Sequence, residues 1–235
     1  MHTTLRIAAI LAGLSLSLKT QAQGLPFTMN AGQFSEGAVM LTSGAVVKGE
    51  ISLDRASNKL ALKANDTIYT LPTQTVRVFA MRGEQTPQKR GQYVALTRIF
   101  HSYSYPWSTK KAPDFKMWAF FEQLSEGPTI LLRREEPIQY SYTSAPIGNQ
   151  RPRYYTNTEL RTTFYLNTNE GKLVTLQKPK RDLLTFFAKQ ASLIKAYAKE
   201  NDLSFKDARG LAFLVNYANS LQAEQLYQEP ALPTE

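Results

Sequence analysis

The 235-residue chain has no cysteine. That excludes disulfides, thiolate metal sites and the lipobox cysteine of a lipoprotein anchor. Histidine is nearly absent too. His2 and His101 are the only two, so a histidine-rich metal centre is excluded. No apolar run reaches the roughly 20 residues that a membrane-spanning helix needs. The chain also lacks a Gly-x-Ser-x-Gly elbow, a Lys-Thr-Gly strand, a phosphate-binding glycine loop and a calcium-loop pattern. Two Ser-x-x-Lys tetrads occur, Ser108 to Lys111 and Ser192 to Lys195, without the strand motif that would make them chemical. Glu135 and Glu136 are adjacent, so on a strand they point to opposite faces and do not converge as a glycosidase pair.

What the chain does have begins with an export pattern. Residues 1–6 carry positive charge, residues 7–18 are apolar but too short to span a bilayer, and Thr20-Gln21-Ala22 offers small residues where a signal peptidase reads. We expect cleavage after Ala22 and an exported protein, periplasmic or extracellular, that is not an integral membrane protein. Removing residues 1–22 takes away Arg6 and Lys19 and lowers the formal charge from +9 to +7. A basic balance of this size favours contact with polyanions, but it also serves solubility alone. At 43% hydrophobic and 20% charged, the remainder has the composition of a packed domain.

From Gly37 to Ala80 the apolar residues alternate with period two, and Ser43-Gly44, residues 54–58 and Asn65-Asp66 punctuate the pattern. This predicts a β-meander of five short strands. Residues 92–100, 117–124, 129–133, 160–166 and 173–176 continue as strands. Residues 101–116 and 137–158 are expected as aromatic and basic loops. After Pro179 the period changes to about 3.6, with Leu183, Leu184, Phe187, Ile194 and Ala198 on one face. A second helix is expected to start at an N-cap Ser204, with Leu211, Val215 and Ala218 on its buried side. The fold class is therefore α+β: an antiparallel, β-rich region over residues 23–177, two or three helices over 178–228, and a tail at 229–235.

The stretch Val39-x-Leu41-x-x-Gly44, four residues, Gly49-x-Ile51, then Asp54-x-x-x-Asn58-x-Leu60 resembles the first motif of the Sm-like RNA-binding barrels. Residues 78–83 loosely resemble their second motif. The resemblance implies a base-holding role for Asp54, Asn58, Arg82 and Gly83. The gap from Gly49 to Asp54 is one residue shorter than the family's, and no helix pattern precedes the strands. Glycines at turns and bends of a strongly curved meander account for the spacing without a ligand. We read it as shared small-barrel geometry, and nucleic acid is not expected as a partner of an exported chain.

The signal pattern, the meander and the helical end "KRDLLTFFAKQASLIKAYAKENDLSFKDARGLAFLVNYANSL" resemble secreted proteins of unknown function common in Bacteroidota. That resemblance implies a compartment and no reaction. It also implies a candidate O-glycosylation site at Thr67, in Asp66-Thr67-Ile68, because exported proteins of that group can be modified at such sequences.

Two basic-aromatic clusters remain. Tyr103, Tyr105, Trp107, Lys110 and Lys111 form one; Tyr140, Tyr142, Arg151, Arg153, Tyr154 and Tyr155 form the other. Stacking rings beside cations suit an anionic envelope component, a glycan or a protein. The sequence thus points to a non-catalytic binding module of the cell envelope that needs no cofactor. The alternative is an envelope-acting hydrolase whose site is assembled from scattered residues.

Overall fold

The computed structural model describes residues 34–87, 93–106, 115–143, 154–168 and 170–227. The expected signal segment 1–22 and the tail 229–235 lie outside these. Among the described residues ten strands form one antiparallel sheet: β1 Ser35–Leu41, β2 Val46–Asp54, β3 Lys59–Ala64, β4 Thr67–Pro72, β5 Val76–Pro87, β6 Tyr93–Pro106, β7 Lys116–Gln123, β8 Ile130–Thr143, β9 Tyr154–Asn167 and β10 Leu173–Leu176. Three helices follow: α1 Pro179–Phe186, α2 Ala191–Glu200 and α3 Ala208–Tyr227. The class is α+β and β-rich.

The sheet order is β10-β9-β8-β7-β6-β5-β1-β2-β3-β4. The first five strands are therefore not a simple meander. β5 pairs with β1, not with β4, and a 3-10 turn at Thr73–Thr75 carries the chain back. The bond from Thr42 N–H to the Thr75 carbonyl, 3.0 Å, ties that return to the β1–β2 turn. Returning to β1 buries Val76 and Phe79 beside Val39 and Leu41. Period two reveals strands but not their partners, so the crossing was invisible locally.

Gly37 and Gly49 face each other across β1 and β2. A Cβ on Gly37 would run into the Ala80 carbonyl, and one on Gly49 into that of Lys63. Strands pass closer here than a side chain allows, which explains the glycine spacing by packing.

Curvature closes this half of the sheet on itself. Phe79 stacks on Phe100 at 4.7 Å and meets Phe120 edge-on at 5.1 Å. Arg55, in the β2–β3 turn, reaches Glu135 of β8 at 3.1 Å although four strands separate β2 from β8 in the sheet. Only a strongly curled sheet brings them together.

β7 and β8 separate early, pairing at Glu122↔Arg133 and Gln123↔Leu132. Beyond that point β8 and β9 continue as a long hairpin, with register from Ile130↔Asn167 to Thr143↔Tyr154. The loop expected over 137–158 is therefore replaced by strand at 137–143 and 154–158. Likewise residues 101–106, expected as loop, complete β6. Tyr and Thr favour strand, and Pro137 fits because no described strand pairs with that side of β8, so its missing N–H breaks no ladder bond.

The helices cover one face of β8–β10. Leu183, Phe187, Ile194, Leu211, Leu214, Val215 and Ala218 join Leu131, Phe164, Leu166 and Leu176 in one buried cluster. The expected apolar faces are thus the buried ones, except that Leu184 is only half-buried. The helix expected after Pro179 is broken at Phe187 (φ −97°, ψ 46°), and a 3-10 turn at Ala188–Gln190 leads into α2. The N-cap of α3 is Asp207 and not Ser204. Asp207 Oδ1 accepts from Gly210 N–H at 2.8 Å, while Ser204 Oγ accepts from Lys206 N–H at 3.0 Å in the preceding turn. Gly210 lies so near the Ser204 carbonyl that no side chain would fit. A buried amide latches α3 to the β7–β8 turn: Asn219 Nδ2 donates to the carbonyls of Glu126 (2.7 Å) and Thr129 (2.8 Å), and its Oδ1 accepts from Thr129 N–H (3.2 Å).

Candidate functional site

Alternation along β6–β9 sorts the aromatic residues. His101, Tyr103 and Tyr105 of β6, Phe121 of β7, Leu132 and Arg134 of β8 and Tyr165 of β9 share the face away from the helices. Phe121 is edge-on to Tyr105 at 5.6 Å and to Tyr165 at 5.0 Å. Tyr105 and Tyr165 are buried, and Tyr103 is half-buried with its hydroxyl accepting from Asn167 Nδ2 at 3.0 Å. Burial pushes all three phenols up from their ordinary value, against the pull of Arg134 on Tyr105 and Tyr165. Tyr105 thus belongs to a core cluster and presents no free ring to a ligand. Aromatic content alone reads the same for core and surface.

Trp107, Lys110, Lys111, Arg151 and Arg153 lie outside the described residues. The members of the second cluster that are described stand at the end of the β8–β9 hairpin. Along the same face as Tyr105, the order outward is Arg134, Glu136 with Arg161, then Tyr140 with Glu159, then Tyr142 with Tyr155. Glu136 is held between the guanidiniums of Arg134 and Arg161. Arg134 also lies over the Tyr105 ring at 4.9 Å. Tyr140 donates its hydroxyl to Glu159 Oε2 at 2.5 Å, and that bond raises its pKa. Tyr142 and Tyr155 stack across the strands at 5.4 Å and 20°. Tyr142 is 57% exposed, and Tyr154, on the opposite face, is 83% exposed. The hairpin is an arm with a buried root, an ionic middle and an aromatic end.

A second polar group sits on the helix-side face. Glu122 of β7 is buried and accepts from Arg98 at Nε and Nη2, both 2.7 Å, and from Arg133 at Nε (2.9 Å) and Nη2 (2.5 Å). Burial works against its charge, but the two guanidiniums outweigh it and hold the carboxyl below its ordinary value. Glu135 continues the network to Arg133 at 3.3 Å and to Arg55. The adjoining cavity is about 10 Å³, room for one water at most. Such a network closes the end of the curled sheet and has no space for a substrate. Sequence reasoning missed it because its members come from four separate segments.

His101 Nε2 is 2.7 Å from Gln123 Oε1, and its ring lies 5.9 Å from that of Tyr103. Ser192 and Lys195 are exposed on α2. Among the described residues, no three of His, Asp and Glu converge as a metal ion would require. Asp54 Oδ1 accepts from Ala56 and Ser57 N–H and its Oδ2 from Ser57 Oγ, while Asn58 adopts φ 51°. Burial raises the Asp54 pKa less than these bonds lower it. Both residues serve the β2–β3 turn. Arg82 and Gly83 sit at a register shift in β5. Thr67 is exposed directly after Asn65 and Asp66, whose φ of 49° and 59° make a two-residue hairpin turn of the kind Asn and Asp favour. No helix among the described residues is long and apolar enough to cross a membrane. Comparison with protein-family models, curated proteins and solved structures finds no match.

Proposed function

We propose that this is an exported, non-catalytic protein of the cell envelope that binds its partner through the aromatic end of the β8–β9 arm. The carrying observation is the exposed ring set of Tyr140, Tyr142, Tyr154 and Tyr155 on a hairpin whose outer half no other described element covers. Exposed tyrosines on a paired scaffold lose little conformational freedom on binding, and they offer both an apolar face and a hydroxyl. The partner class that fits is a glycan or protein surface, with Arg151 and Arg153 adding attraction for anionic groups.

Capture from envelope extract tests this. The chain from Gln23 should be retained, and Tyr142→Ala/Tyr154→Ala/Tyr155→Ala should lose most of that retention. Its unfolding midpoint should stay nearly unchanged, because exposed positions rarely move stability by more than about 0.5 kcal/mol. Equal capture of wild type and variant would reject the arm.

Export is measured separately by intact mass. The exported form should begin at Gln23, and a glycan mass that disappears in Thr67→Ala would place the modification in the exposed β3–β4 turn. A mass that retains residues 1–22 would reject the export reading.

A further inference from the structure

The helical end carries a second surface, on elements that the arm does not use. An open groove of about 770 Å³ lies among the start of α1, α2 and the turn before α3. Pro179, Leu184 and Phe205 give it a carbon floor, and Lys178, Lys180, Lys195 and Lys206 stand around it. All four lysines are exposed, and among the described residues none makes an ion pair. Lys180 Nζ instead lies over the Phe205 ring at 5.5 Å. The nearby acids are already engaged: Asp182 accepts from Lys178 N–H (2.7 Å) and Arg181 Nε (2.8 Å), and Asp207 caps α3.

We propose that this groove docks on the surface of an anionic phospholipid bilayer, with the lysines at the phosphates and the apolar floor against the glycerol and upper acyl region. Charge complementarity requires an anionic occupant. The choice of lipid follows from what else lines the groove. Ser204 is the one uncharged polar side chain there, and its oxygen is bonded to Lys206 N–H. Arg181 also lines the groove, but its guanidinium is engaged by Asp182 Oδ1, so the lysines and carbon that remain recognise charge and an apolar layer, not a peptide sequence. Lysine suits this arrangement, because its stem packs on carbon while its ammonium reaches the headgroups.

Vesicle co-sedimentation tests it, using the chain from Gln23, the one point taken from the export reading; the mass measurement above tests that point independently. Vesicles with about a third acidic phospholipid should sediment the protein, and purely zwitterionic vesicles should not. Raising salt should release it, since a shorter screening length weakens exposed charges. Lys178→Gln/Lys180→Gln/Lys195→Gln/Lys206→Gln should weaken binding at least about tenfold, the arm variant should bind as wild type, and both should melt as wild type. Equal binding to zwitterionic vesicles, or undiminished binding by the lysine variant, would overturn the proposal. So would binding of a polyglutamate peptide or inorganic phosphate at this groove without binding of acidic vesicles.

Discussion

Replacing Glu122 with glutamine is expected to destabilise the fold by about 3 kcal/mol, the lower end of the range for breaking a buried ion pair. The lower end applies because Arg98 and Arg133 keep 21% and 23% of their side chains exposed. The substitution preserves shape and removes the charge that both guanidiniums face, so the loss is electrostatic and not a cavity. pH dependence should carry the same signature. A carboxyl held below its ordinary value of 4.5 contributes stability that is fully present above that value and is lost as pH falls through the lower folded value. Wild-type stability should therefore fall on acidification below about pH 5, and Glu122→Gln should show a shallower decline. Denaturant titrations at pH 7 and at pH 3.5 measure both. Parallel pH profiles for the two proteins would mean the network does not hold the curled sheet.

Leu211→Ala is expected to cost about 2–5 kcal/mol, the range for emptying a buried leucine site. Leu211 is fully buried where α3 meets the sheet, in one cluster with Leu131, Phe164 and Leu166. Lys206→Ala, on an exposed side chain of the preceding turn, should move the midpoint little. Equal small shifts for both would contradict docking of the helical layer.

These two residues differ in how readable they were. Leu211, Val215 and Ala218 recur at helical spacing, so their burial follows from a local pattern. The strands of residues 37–80 are equally local, because alternation and the turn residues Gly44, Asn65 and Asp66 mark them. Glu122 is different. Its partners Arg98 and Arg133 are 24 and 11 residues away, and Arg55 joins Glu135 across 80. Nothing in a window of sequence records a curl that long. The return of β5 to β1 was hidden for the same reason.

The candidate site was half legible. Tyrosines and cations marked the stretch that forms the arm, but prolines made residues 137–158 read as loop, although Pro137 sits in strand where no described strand pairs with its N–H side. Tyr105 and Tyr142 look alike in sequence. Packing against Phe121 and Arg134 separates them, placing Tyr105 in the core and Tyr142 at the end of the arm. Ser204 and Asp207 are both good caps, and the close approach at Gly210 decides between them.

Binding by the arm, separate from the fold that carries it, is the central claim. Hydrogen exchange of the protein with and without solubilised envelope fractions tests it most directly. Amides of residues 138–143 and 154–160 should gain protection when the partner is present, while the core strands β1–β3 and helix α3 exchange as before. Unchanged exchange along the arm in a fraction that demonstrably binds the protein would contradict the account.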